Sequence, residues 1–365
     1  MTTSPDSTPA TAAGRSRRTR VLPVVAVAVL VLTLAGIVAP RPITLGPPTG
    51  DRRLADAARP HLSGQHHVAI ALIEPEGVRY AGFGADEHAV FEIGSVTKTF
   101  TSALLREAIA RGEVSADTRV RDLVPTDAPV GDVTLQELAS HTSGLPRLGG
   151  SQTNPVSLFA HLLRRNPYSG DGELVIRDAL AAGLTDRGTV AYSNLGVALL
   201  GQLLARAADL SYPDLLRMRL LDPLGLAETT LPLTASDLPP EAPRGYDVAG
   251  RTAAAWPLDG WSPAGGVRST AHDLAIWVES MLDGRNPGAS GLGVVAEVAP
   301  GDRVATGWFL QDLAGGGTLV WHNGGTGGFR SFVGFDPDAR RGIVVLADTE
   351  RDVDAAAVAI LKAAR

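Results

Sequence analysis

The chain writes nearly every positive charge as arginine. Of its 33 Lys and Arg residues only Lys98 and Lys362 are lysine. Lys98 stands three residues after a serine, in Phe91-Glu-Ile-Gly-Ser95-Val-Thr-Lys98-Thr-Phe-Thr. Arginine keeps its proton in any protein environment, whereas a buried lysine can give its proton up. A site that needs a base or proton shuttle beside a nucleophile can therefore use lysine and not arginine. Residues i and i+3 share one face of a helix. Val96, Phe100, Leu104 and Ile109 give such a helix a buried side, and Gly112 supplies a stop. The spacing thus predicts a helix from Ser95 to about Arg111. A serine at its entry has unpaired backbone N–H groups beside it, suited to a developing oxyanion. Ser-x-x-Lys alone also fits a helix cap followed by a solvated lysine, so the pattern needs partners.

Two partners follow. Val190-Ala-Tyr192-Ser193-Asn194-Leu-Gly lies about a hundred residues on, and Val320-Trp-His322-Asn323-Gly324-Gly325-Thr326-Gly327-Gly328-Phe329 lies near the C-terminus. Ser-x-x-Lys, then Tyr-x-Asn, then (Lys/His)-x-Gly is the motif order of the serine penicillin-recognising hydrolases. The chain resembles the beta-lactamase-related serine hydrolase family, which holds class C beta-lactamases, D-alanyl-D-alanine carboxypeptidases and esterases. Leu138-Ala-Ser-His141-Thr-Ser-Gly144-Leu-Pro146, Leu221-Asp-Pro-Leu-Gly-Leu226 and Pro263-Ala-Gly265-Gly266-Val-Arg-Ser-Thr-Ala-His-Asp273 resemble further segments of that family. The resemblance runs from about residue 60 to the C-terminus.

What the resemblance implies is a set of roles. Ser95 Oγ would attack a carbonyl and form an acyl-enzyme. Lys98 would take or store its proton. Tyr192 would act as general base or relay and protonate the leaving group, given a neighbouring cation such as Lys98 to lower its pKa. Asn194 would hydrogen-bond Lys98 or a substrate amide. The N–H groups of Ser95 and Gly325 would form the oxyanion hole. His322 stands where class C beta-lactamases carry lysine. A histidine there is mostly neutral at pH 7, which counts against efficient penicillin hydrolysis. Gly324 and Gly325 would let substrate lie against the strand, or mark a bulged turn.

The other histidines read as structural. His66-His67 precedes a strand without partners at metal spacing, and His141 reads as a turn residue. No metal or other cofactor is implied. Trp256, Trp261, Trp308 and Trp321 either line the cleft or fill the core.

The elements that must position these residues are legible coarsely. His67–Ile73 and Gly77–Phe83 read as a hairpin. Residues 303–310, 318–322, 328–335 and 342–348 read as a second strand series, with a closing helix over 355–364. The middle, roughly 100–290, is rich in Leu and Ala at helical spacing. The expected fold is α+β: an antiparallel sheet formed from N- and C-terminal strands, flanked by helices, with an inserted mostly helical lobe. Ser95 would begin the helix under the sheet, Tyr192 would lie on a loop of the lobe, and His322 on the edge strand.

Composition is that of a globular enzyme, 44% hydrophobic and 20% charged, with net charge −6. The acidic balance argues against nucleic acid as a partner. The absence of cysteine excludes disulfides and thiolate metal sites. Residues 1–20 read as a disordered basic N-terminus, closing on Arg15-Ser-Arg17-Arg18-Thr-Arg20. The charge-free apolar run from Val21 to Ala39 is a signal peptide or an uncleaved signal anchor, the latter favoured because Pro40 follows a weak cleavage site. Either would place the hydrolase domain (59–365) outside the cytoplasm, and an anchor would tie it to the membrane through residues 21–39. Residues 40–58 read as a linker. Substrates under this reading are a small D-alanyl peptide, an ester or a beta-lactam. Alternatives are a class C-type beta-lactamase and a catalytically weak protein that binds penicillin or wall peptide.

Overall fold

Residues 68–74 divide their side chains between two hydrophobic layers. Val68, Ile70 and Leu72 enter one, and Ala69, Ala71 and Ile73 the other. An extended chain turns successive side chains to opposite faces, so this strand separates the two cores of the molecule. The computed structural model describes residues 1–2, 40–163, 165–313 and 316–363. The unit built around this strand is Pro42–Arg365.

The elements used below are, in chain order, β1 (Pro48–Gly50), α1 (Arg52–Ala58), β2 (Val68–Glu74), β3 (Gly77–Phe83), β4 (Phe91–Glu92), α2 (Thr97–Ala110), α3 (Gly172–Ala181) and α4 (Asn194–Ala207). There follow β5 (Arg268–Ser269), α5 (Ala271–Leu282), β6 (Ala296–Ala299), β7 (Asp302–Val304), β8 (Phe309–Asp312), β9 (Thr318–Gly325), β10 (Arg330–Asp336), β11 (Arg341–Ala347) and α6 (Asp354–Ala363). Nine strands form one sheet in the order β1-β3-β2-β11-β10-β9-β8-β7-β6, and β4 pairs with β5 in a separate ribbon. Every pairing is antiparallel. The join between the chain's two ends is β2 against β11, with Val68 opposite Ala347 and Ile73 opposite Gly342. This is the α+β architecture expected from the sequence.

Helices α1 and α6 cover one face, where Leu54, Ala58, Ile360 and Leu361 pack with Ile70, Leu72, Phe332 and Val345. The other face is covered by α5, which packs on β2 and β11. Trp277 of α5 stacks on Phe100 of α2, with ring centroids 3.9 Å apart, and so carries this core into the helical lobe. The lobe is therefore shorter than expected, because α5 belongs to the sheet layer.

Three further expectations change. Residues 48–58 of the expected linker form β1 and α1. Asp51 caps α1 by accepting a hydrogen bond from the Leu54 N–H (2.8 Å), and Leu54, Ala55 and Ala58 then bury one side of the helix. The strand expected over 303–310 is two strands, β7 and β8, broken where Gly307 takes a positive φ of 76° against the Ser102 side chain. His322 is on an interior strand, because β8, β7 and β6 continue the sheet beyond β9. The apolar run Val21–Ala39 lies outside the described residues. Among those described, no helix is long and apolar enough to cross a membrane.

Candidate active site

The chain enters α2 through a single 3₁₀ turn, Gly94–Val96, laid on the end of β9. Backbones meet there without intervening side chains. A Cβ on Gly324 would stand 2.0 Å from the Ile93 carbonyl oxygen and 2.9 Å from Ser95 N, and a Cβ on Gly94 would stand 2.6 Å from Gly325 N. Gly94 also has φ of 49°, which disfavours any side chain. Ser331 Oγ donates to the Ile93 carbonyl (2.7 Å) and holds the turn down. The space at Gly324 thus seats the serine turn, rather than admitting substrate. It brings the backbone amides of Ser95 and Gly325 to one corner of the cleft. Gly324→Ala must push this turn aside. It is expected to lower kcat/KM by about 10²-fold, the scale of an ångström misplacement, and to cost about 1–3 kcal/mol of stability through overpacking. Steady-state kinetics with a chromogenic ester and a urea melt check both.

Lys98 lies one turn inward and is fully buried. Its Nζ donates to Ser95 Oγ (2.9 Å) and to the Ala264 carbonyl oxygen (2.5 Å). Burial, assisted by the Arg147 charge, holds its pKa well below the ordinary lysine value. The site therefore favours a free amine against the serine hydroxyl. Among the described residues no carboxylate pairs with this nitrogen.

Tyr192 sits on the segment before α4, as the sequence suggested, but its charge state differs from the expectation. Burial pushes its pKa up to about 12, outweighing the hydrogen bond to Ser95 and the Arg147 charge. It is a protonated phenol rather than a phenolate stabilised by Lys98. Its ring lies between the Lys98 nitrogen, 5.0 Å from the ring centroid, and the Arg147 guanidinium, 5.1 Å from it. His141 is placed by a positive φ of 61° and stacks on the Tyr192 ring with centroids 4.4 Å apart. Its Nδ1 accepts the Ser193 N–H (3.2 Å) and its carbonyl accepts the Ala191 N–H (2.8 Å), so it fixes the residues on both sides of Tyr192. Asn194 opens α4 and donates from Nδ2 to the Tyr168 hydroxyl (2.9 Å), not to Lys98. Its buried Oδ1 has no protein partner.

His322 is buried on β9 and donates from Nδ1 to the Asn323 carbonyl (2.7 Å). Burial and the nearby Lys98 lower its pKa to about 3, so it is neutral. Its Nε2 has no hydrogen-bond partner among the described residues. Asn323 turns its side chain outward and donates to Asp354 Oδ2 (2.6 Å).

These groups meet at the base of a cleft of about 880 Å³, lined by Ser95, Tyr192, Asn194, Gly324 and Gly325 and walled by Trp256, Trp321 and Phe309. Trp261 and Trp308 instead fill the core. Arg147 lines the cleft, is exposed and has no carboxylate partner among the described residues. It escaped the sequence reading, although it directly follows the Leu145-Pro146 end of the His141 segment. Metal-capable side chains cluster elsewhere, as His66/His67/Asp348 and His88/Glu228/His272. The first corrects the reading of His66 and His67 as lacking partners, since Asp348 reaches them at the end of β11.

A serine beside a buried lysine and a tyrosine, with two backbone amides at one corner of a cleft, is an arrangement suited to serine acyl transfer. The chain belongs to the Beta-lactamase family, whose model matches residues 55–365. It is 27% identical over 354 residues to the D-alanyl-D-alanine-carboxypeptidase/endopeptidase AmpH of Escherichia coli (strain K12), covering 86% of this chain and 88% of that one. It is 29% identical over 308 residues to a beta-lactamase of the same organism, covering 72% and 76%. Its fold is similar to that of a beta-lactamase/D-alanine carboxypeptidase from Pseudomonas syringae, with TM-score 0.73 at 20% identity over 86% of this chain and 98% of that one. The chain is thus a serine hydrolase of the beta-lactamase/penicillin-binding type.

Proposed function

We propose that this serine hydrolase works outside the cytoplasm as a D-alanyl-D-alanine carboxypeptidase-like or esterase-like enzyme, through an acyl-enzyme on Ser95. The observation that carries the reading is the buried Lys98 amine, 2.9 Å from Ser95 Oγ and without a counter-ion among the described residues. As a free amine it takes the hydroxyl proton while Oγ attacks the substrate carbonyl. The oxyanion rests on the N–H groups of Ser95 and Gly325. The phenol of Tyr192 gives its proton to the leaving amine or alkoxide and is reprotonated by the Lys98 ammonium, which returns Lys98 to the free amine. Water then attacks the ester, with the same groups working in reverse. Asn194 Oδ1 accepts a substrate N–H.

The peptidase or esterase reading over a lactamase is supported by His322. A neutral, buried imidazole supplies no fixed positive charge, so recognition of a substrate carboxylate falls to Arg147. The name of the AmpH relative supports the same substrate class. Placement outside the cytoplasm, and a membrane tether if residues 21–39 remain, are supported by the Arg15–Arg20 cluster and the apolar run behind it.

Intact mass spectrometry of the full chain with excess benzylpenicillin tests the reading. A long-lived adduct on Ser95 is expected of a carboxypeptidase-like enzyme. No adduct, with the antibiotic untouched and an ester or D-alanyl peptide cleaved, also fits. An adduct that disappears as the antibiotic is consumed would mean a beta-lactamase and overturn the weight given to His322.

A further inference from the structure

The ribbon that leads into the catalytic serine has an unexplained outer end. Phe91 of β4 pairs with Ser269 of β5, and Glu92 with Arg268. Carrying that antiparallel register three residues outward sets His88 opposite His272, and their ring centroids stand 5.0 Å apart. Glu228 arrives from a third segment, with Oε1 2.8 Å from His88 Nδ1 and Oε2 3.7 Å from His272 Nδ1. Asp273 Oδ1 lies 3.3 Å from His272 Nδ1, and Glu87 Oε1 3.9 Å from His88 Nε2.

We propose that His88, Glu228 and His272 form a binding site for a divalent transition-metal ion of the Zn²⁺ type. Donor atoms each about 2.0–2.1 Å from a tetrahedral zinc stand roughly 3.4 Å from one another. Each imidazole faces its own oxygen of the Glu228 carboxylate at close to that spacing, 2.8 and 3.7 Å, and the ligand atoms of the three residues all lie within 4.8 Å of one another, so an ion enters with side-chain shifts. Two imidazoles and a carboxylate suit such an ion. Thr270 Oγ1 donates to Glu228 Oε2 (2.9 Å) and orients the carboxylate as an outer-shell partner does. All three side chains are partly exposed, at 51%, 34% and 37%, which leaves the site open to entry from solvent.

The second cluster differs. His66 Nδ1 and His67 Nδ1 both converge on the single oxygen Asp348 Oδ2, at 3.1 and 3.0 Å. The other oxygen, Oδ1, already accepts the His67 backbone N–H (2.8 Å). That carboxylate is saturated by hydrogen bonds and reads as a structural knot. The His88 site does not line the catalytic cleft, so its ion would staple the β4–β5 ribbon rather than join the chemistry. The staple lies at the opposite end of the ribbon from Ser95, three residues beyond Phe91.

Titration calorimetry of the chelator-stripped full chain with Zn²⁺ tests the site, alongside His88→Ala, His272→Ala, Glu228→Gln and His66→Ala. The expected result is one ion per chain, bound about tenfold or more weakly by the first three variants and unchanged in His66→Ala. Thermal unfolding should rise with Zn²⁺ in the wild type and not in Glu228→Gln, the isosteric variant least prone to misfold. The proposal is overturned if the wild type takes up no Zn²⁺ at submillimolar concentration. It is equally overturned if the ion binds all of the first three variants as it binds the wild type, or is lost only in His66→Ala.

Discussion

Ser95→Ala is expected to abolish turnover, by about 10⁴-fold or more, and to leave no covalent adduct with a fluorophosphonate. The size follows from what the oxygen does. Without it neither acyl-enzyme nor leaving-group expulsion can occur, and only binding and the oxyanion corner remain. Stability should hardly move. Ser95 Oγ is hydrogen-bonded to Lys98, whose nitrogen keeps the Ala264 carbonyl as a partner, and to the Tyr192 hydroxyl, which opens on the cleft. A single exchangeable bond contributes about 1 kcal/mol. The two readouts together matter: a thermal midpoint near that of the wild type with no labelling is the expected pair. A folded Ser95→Ala protein that still hydrolyses substrate would sink the assignment of the nucleophile.

Lys98→Arg is expected to lose about 10³-fold in kcat/KM, within the range of a lost general base, and to unfold more easily as well. Burial works against any charge at this position, and arginine cannot shed its own. Lys98→Met separates the two effects, because it fills the space without a charge and should keep the fold while losing the activity. The pH dependence has a defined sign. The working form is the free amine, so kcat/KM in the wild type rises with pH as Lys98 deprotonates. That limb belongs below the ordinary lysine value, since burial and Arg147 lower the pKa. The folded state binds fewer protons there than the unfolded chain. The Lys98 contribution to stability therefore increases with pH between the folded and the unfolded pKa and is lost as pH falls through the folded one. Near-wild-type activity in Lys98→Met would show that another group is the base.

The candidate site side chains can be picked out of the sequence because their spacing is local: Ser95 and Lys98 share one helical turn, and Tyr192 and Asn194 sit two residues apart. Their electrostatics were not. The sequence suggests that Lys98 and Tyr192 belong together, but only the packing shows that burial outweighs the Arg147 charge and leaves Tyr192 a phenol. Arg147 was missed for a related reason, since nothing in its own segment marks it until the fold sets it over the Tyr192 ring. Among the elements, β2 and β3 were readable from short β-rich runs on either side of a turn. Helix α1 was hidden by the prolines and glycines before it, although Asp51 followed by Leu54, Ala55 and Ala58 was a usable cap-and-face signal. The interior place of β9 depended on β6–β8, short strands with little hydrophobic pattern of their own.

The pairing of β2 with β11 has a kinetic consequence. Two strands separated by most of the chain must meet before either core closes, since both layers take side chains from both of them. Closing so long a loop is slow and sets the folding rate of sheets built this way. On the ribosome β2 and β3 emerge long before β11. A nascent chain of this design stays open until β11 has been made. Over that interval the apolar side chains of β2 on both faces lack the strand that closes their layers.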